Sequence, residues 1–130
     1  LIKSKKNLIN DINSFTKYKE NEIAHIVYFD FDKTNLSYQS IESLKNFIKK
    51  NKNQINKFLI VGHTDTKGSK EYNINLSLER AIIVKKLLVE NNINLSNIKI
   101  LAMGETSLAV ITPDNTKHPA NRRVEIKKSN

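Results

Sequence analysis

An α+β fold, read as βαβαβ(β) in two layers with the helices on one face of a sheet, is the class predicted by three observations. Short apolar runs bounded by glycine or turn residues alternate with longer stretches of helical period. The pattern ends in two strands, not in a helix, which argues for a sheet covered on one side. A chain of 130 residues, 38% hydrophobic and 27% charged, has the size and composition of one soluble domain with a modest core.

Residues 1–22 are rich in Lys and Asn, with Leu8, Ile12 and Phe15 at helical spacing, and read as a linker or short amphipathic segment ahead of a domain spanning 23–130. The run from Ile23 to Phe29 is strand-like, and Ile41, Leu44, Phe47 and Ile48 mark the buried face of a first helix. Phe58 to Val61, stopped by Gly62, is a second strand. Ser69 then suits the N-cap of a helix from Lys70 to about 91, with Ala81, Val84, Leu87 and Leu88 on its core side. Ile98 to Met103 is a third strand ended by Gly104, 105–120 a loop, and Val124 to Ile126 a fourth strand with simple alternation. Local pattern leaves the strand order open, and no internal repeat or second domain is evident.

The net charge of +9 favours anionic partners without choosing among nucleic acid, lipid head groups and carboxylate-bearing polymers. The pairs Lys5-Lys6, Lys49-Lys50, Lys85-Lys86 and Lys127-Lys128 are scattered along the chain and read as solvated faces. Heavy use of Asn, Lys and Ile beside only 3 Gly and 2 Pro reads as codon bias. Without cysteine there is neither a disulfide framework nor a thiolate metal site, and the compartment stays open. His25, His63 and His118 have no ligand spacing, so neither metal nor cofactor is expected. No apolar run is long enough for a signal segment or a membrane span, so any export signal or lipid anchor is expected to have been removed or left out.

The densest chemistry is Gly62-His63-Thr64-Asp65-Thr66-Lys67-Gly68, followed by Tyr72-Asn73, Leu76-Ser77 and Arg80-Ala81. It falls at a strand-to-helix turn and sets an acid and a guanidinium where both could face one small ligand. Asn73, Leu76 and Arg80 stand at i, i+3 and i+7 on one helical stripe. Arg80 lies roughly 16 Å from the helix cap at 1.5 Å per residue, so contact with Asp65 requires the loop to fold back. Gly62 and Gly68 permit that, and a long helical side chain leans toward the N-terminus. The plainer alternative is an Asp65–Arg80 ion pair fixing loop to helix. His63, at a strand end, reads as structural.

Together with Val27-Tyr28-Phe29-Asp30-Phe31-Asp32-Lys33 and Asn121-Arg122-Arg123-Val124-Glu125-Ile126, these motifs resemble the OmpA-like carboxy-terminal domain family of outer-membrane porins, peptidoglycan-associated lipoproteins and flagellar stator proteins, over about residues 23 to 128. The resemblance implies a mixed four-stranded sheet of order 1-4-2-3. It also implies non-enzymatic binding of peptidoglycan through the diaminopimelate of the stem peptide, in the periplasm, as part of an outer-membrane-associated protein. Asp65 would accept from the ligand ammonium, and Arg80, with its planar fork, would pair the carboxylate. Thr64 and Asn73 would hydrogen-bond the ligand, Asp30 would contribute from the end of the first strand, Leu76 would line the pocket and Arg122 would add a donor. Arg123, its strand neighbour, should face away. Other envelope proteins are further candidate partners, nucleic acid is not, and membrane association is expected only through parts outside this chain. One departure is the lack of a proline soon after Gly104-Glu105, which concerns the loop more than the pocket.

Three rival functions are weaker. Ile26 to Thr34 also resembles the DxDxT motif of haloacid-dehalogenase-type phosphatases, with Asp30 as nucleophile and Asp32 as general acid on one strand face, but no acidic cluster for Mg²⁺ follows. A wall-cleaving enzyme could draw two carboxylates from Asp30, Asp32, Asp65 and Glu105, yet Arg80 near Asp65 opposes a raised general-acid pKa. A nucleic-acid binder is supported by charge alone, since aromatics are 7% and fall mostly at core-like positions.

Overall fold

The computed structural model describes residues 23–52 and 56–129, so the amino-terminal segment 1–22 lies outside the described residues. Strand β1 (Ile23–Tyr28) leads to helix α1 (Tyr38–Asn51), β2 (Lys57–Gly62), α2 (Lys70–Glu90), β3 (Ile98–Ala102) and β4 (Arg123–Ser129), with 3₁₀ turns at Leu95–Asn97 and Pro119–Asn121. The sheet order is β1-β4-β2-β3. β4 pairs antiparallel with β1 and β2, and β2 pairs parallel with β3. β4 is therefore central, and this explains why it exceeds the three alternating residues that marked it. Lys127, Lys128 and Ser129 pair with Leu59, Phe58 and Lys57, so backbone bonding extends the strand through residues of low β propensity. Among the described residues no helix is long and apolar enough to cross a membrane.

Each helix begins where a serine supplies an acceptor. Ser37 Oγ accepts from Ser40 N at 3.1 Å, and Ser69 Oγ from Tyr72 N at 3.1 Å. Alternation then sorts the strands. Val27, Phe58, Ile60, Ile98, Val124 and Ile126 point to the helices and meet Leu44, Ile48, Ala81, Val84 and Leu88 in one core. At the end of β2 the helix comes closer still: a Cβ on Gly62 would lie 1.9 Å from the Ser77 carbonyl oxygen. Ser77 Oγ also donates to Ile74 O and accepts from Gly104 N at 2.9 Å, so α2 grips both strand ends that flank the turn.

The opposite sheet face carries Leu59 and Val61 against Leu101 and Met103. Beside them lies a buried charged group from β4 and the turn after β2. Arg123 Nε donates to Glu125 Oε2 at 2.8 Å and its Nη2 to Ser107 O at 3.0 Å, while His63 Nε2 stands 3.6 Å from Glu125 Oε1. Arg123 thus faces away from its neighbour Arg122, as strand alternation predicts.

Burial pushes the Glu125 carboxyl up, but its contacts with His63 and Arg123 outweigh this and hold it at about 2, below its ordinary 4.5. Burial lowers the His63 pKa from 6.5, Glu125 opposing. Both groups bind protons more readily in the unfolded chain, so both stabilise the fold at neutral pH and lose that contribution on acidification. For His63 the loss begins as pH falls through 6.5; for Glu125 it runs from 4.5 down toward 2. Urea unfolding as a function of pH is expected to show both declines, and Glu125→Gln should remove the lower one. An unchanged acid limb in that variant would assign the titration elsewhere.

Candidate functional site

The loop between β2 and α2 folds back along the helix, as contact between its acid and Arg80 would require. Asn73, one turn into α2, holds it there: Nδ2 lies 3.2 Å from Asp65 O, 3.1 Å from Lys67 O and 3.0 Å from Glu105 Oε1. Gly68 closes the turn at φ +96°, a conformation other residues rarely adopt. Thr66 Oγ1 accepts from Thr116 N at 2.9 Å and donates to Pro113 O at 2.8 Å, and Asn121 bonds both backbone groups of Val110. These side chains order the segment that lacks the expected proline. Between the two loops opens a cleft of about 230 Å³, whose wall includes Asp65, Asn73, Leu76, Arg80 and Arg122.

Arg80 is the floor. It is fully buried, and its guanidinium is spent largely on backbone: Nε donates to Lys33 O at 3.0 Å, Nη1 to His63 O at 3.1 Å and Nη2 to Asp30 O at 3.1 Å. It also lies 5.2 Å from the centroid of the Phe29 ring. Burial lowers its pKa to about 10, with Asp65 acting in the opposite direction, so the group is cationic at neutral pH. Three of the five N–H groups of a guanidinium are thereby committed, which leaves two.

The direct partner of Asp65 is Arg122, with Nη1 3.2 Å from Oδ2. This removes the plainer alternative, a direct Asp65–Arg80 ion pair; Arg122, expected as a further ligand donor, takes the acid instead. Lys67 N and His118 N also donate to the Asp65 carboxylate, at 3.2 and 3.1 Å. Arg122 reaches it because it precedes the central strand β4 and is steadied by a bond from Nε to Phe29 O at 3.1 Å.

Two expected ligand residues sit elsewhere. Thr64 is buried and turns its hydroxyl to Asp65 O at 2.9 Å, off the cleft wall. Asp30 contributes its carbonyl to Arg80, while its side chain is exposed in a neighbouring recess between Tyr28 and Pro119. Four residues that the motif alone did not single out complete the cleft's rim: Phe31, Asp32, Tyr72 and Asn115. Tyr72 Oη donates to the Asp32 carboxylate, and Lys117 Nζ stands 4.0 Å from the Phe31 ring centroid. FDFD and YN carried the signal for Phe31, Asp32 and Tyr72, each beside a residue with an expected ligand role; Asn115, in the loop, left none. One further atom stands out: Asn73 Oδ1 is buried without a donor.

The family model described as the OmpA family matches residues 28–122. The chain belongs to the OmpA family. This OmpA-family domain is 30% identical over 101 residues to the peptidoglycan-associated lipoprotein of Pseudomonas aeruginosa, covering 78% of this chain and 60% of the relative. It is 33% identical over 100 residues to that of Pasteurella multocida, covering 75% and 65%. The chain thus spans less than two thirds of the length of these relatives. Among solved structures, the peptidoglycan-associated lipoprotein from Burkholderia pseudomallei superposes with a TM-score of 0.74 at 27% identity, over 80% of this chain and 89% of that one. The C-terminal domain of Helicobacter pylori MotB shares the fold, with a TM-score of 0.71 at 19% identity over 82% and 84%. The expected sheet order is the one observed.

Proposed function

We propose that this OmpA-family domain is a non-enzymatic module that binds peptidoglycan in the periplasm and holds an outer-membrane-associated protein to the cell wall. The ligand group is the side-chain end of diaminopimelate in the stem peptide, an ammonium and a carboxylate on one carbon. The observation that carries the reading is the cleft itself. Its walls bring together a carboxylate, Asp65, two guanidinia, Arg80 and Arg122, and Asn73 with its unpaired acceptor. The ammonium would take Asp65 and Asn73 Oδ1, and the carboxylate would take the N–H groups that Arg80 and Arg122 have left. The names of the lipoprotein relatives agree with this partner.

The phosphatase alternative loses its geometry. β1 ends at Tyr28, so Asp30 and Asp32 lie in the turn beyond it instead of on one strand face, and Asp32 has φ 54° and a bond from Tyr72.

A diaminopimelate-type stem peptide is expected to bind at least tenfold more tightly than its lysine counterpart, a difference of about 1.4 kcal/mol or more. The lysine peptide lacks the carboxylate and would leave a buried cationic site unanswered. Isothermal titration of the two peptides tests this, and equal affinities would remove diaminopimelate as the recognised group.

A further inference from the structure

Lysines that look scattered in sequence converge in space. The register places Ile23, Lys57, Ile98 and Lys127 at one end of the sheet, and Tyr28, Gly62, Ala102 and Arg123 at the other, where the cleft lies. Both helices start at the cleft end and finish at the far end, where Lys128 Nζ reaches Asn51 Oδ1 at 3.0 Å. The far end therefore gathers Lys49, Lys50, Lys52, Lys57, Lys127 and Lys128. Lys85 and Lys86 join them from the last turns of α2. Glu90 is the only side-chain carboxylate that the described residues place there, whereas Asp30, Asp32, Asp65 and Glu105 lie at the cleft end.

A helix dipole accounts for Lys49 and Lys50, which stand in the last turn of α1. It does not account for Lys57, Lys127 and Lys128, which are on strands.

Two recesses flank the end of α2. One, of about 230 Å³, is lined by Lys45, Lys49 and Lys52 with Asn91 and Asn92. The other, of about 320 Å³, is lined by Ile82, Val89 and Leu95 with Lys85, Lys86 and Glu90. Val89 and Leu95 are exposed, as is Ile23 on the same end.

We propose that this end of the domain docks on an anionic lipid surface. Clustered ammonium groups would meet the phosphates while Val89 and Leu95 enter the head-group boundary, a combination of charge and shallow apolar contact that suits a bilayer interface. Among the described residues the end offers no exposed aromatic side chain on which bases could stack, which disfavours single-stranded nucleic acid. Ile23, where β1 begins, lies at this end and the cleft at the other, so a docked domain turns its cleft away from the lipid. This docking goes beyond the expected membrane association through parts outside this chain, and it is independent of what the cleft binds.

The experiment is sedimentation of the full 130-residue chain with phosphatidylcholine vesicles, with or without about 30 mol% phosphatidylglycerol. Binding is expected with the anionic vesicles alone and should weaken as salt shortens the screening length. Lys49→Glu, Lys52→Glu and Lys86→Glu combined should raise the lipid concentration for half binding at least thirtyfold, and the corresponding Gln variant should give a smaller rise in the same direction. Val89→Ser with Leu95→Ser should weaken binding severalfold at fixed charge. Sedimentation with wall sacculi should be unchanged in all three, which separates this proposal from the reading of the cleft. Equal binding to neutral vesicles, undiminished binding by the triple Glu variant, or tighter binding to random duplex DNA at matched phosphate would each overturn it.

Discussion

Arg80→Met should cost the domain about 3 to 5 kcal/mol of stability, because it strands three backbone carbonyls, those of Asp30, Lys33 and His63, in a buried place. The methionine fills much of the volume but donates nothing. Wall binding should be lost in the same variant, even at temperatures where it remains folded. Arg80→Lys should recover only a fraction of the stability, since one ammonium does not reproduce the planar fork that reaches three carbonyls from two loops. Urea denaturation followed by circular dichroism provides the check. A loss under about 1 kcal/mol in the Met variant would mean that water replaces the guanidinium without penalty.

Gly62→Ala should be comparably severe for a different reason. The new methyl would fall 1.9 Å from the Ser77 carbonyl oxygen, and that neighbour is helix backbone, which cannot rotate aside. α2 would have to lift from the end of β2, which would loosen the Ser77–Gly104 bond and the Asn73 contacts that fold the loop back. A cost of about 3 kcal/mol is expected, the upper end for overpacking, together with loss of the cleft. Gly68→Ala is the contrast. Its methyl would meet nothing closer than 3.7 Å, so only the positive φ opposes it, and a smaller loss of about 1 kcal/mol should result. Equal stabilities for the two variants would show that helix and strand separate freely.

The elements were legible in the sequence because each depends on its own neighbours: Ser37 and Ser69 announce helices, and Phe58 to Val61 a strand. Local pattern left the strand order open, since alternation reports which face a residue takes and says nothing of which strand lies beside it; only the family resemblance supplied it. The same blindness hid the main ion pair of the cleft. Asp65 and Arg122 meet because β4 inserts between β1 and β2, a fact of topology invisible to spacing. Arg80 was found by its motif, but three carbonyls as its partners could not be, because backbone acceptors leave no mark on a sequence. The far-end lysines were visible one pair at a time, and only the fold brings them together.

The placement of β1 has a mechanical consequence. A pull between the chain before Ile23 and a ligand held by Arg122 draws β1 and β4 in opposite directions along their own axes, because the two strands are antiparallel and each is loaded at its first residue. Force then shears the ladder, and its rungs share the load instead of opening one after another. The irregularity between Ile23 and His25 should yield first, while the regular pairs from Ile26–Glu125 to Tyr28–Arg123 resist together. Turned by a quarter, with traction across the strands, the same four-stranded sheet would unzip at a far smaller force.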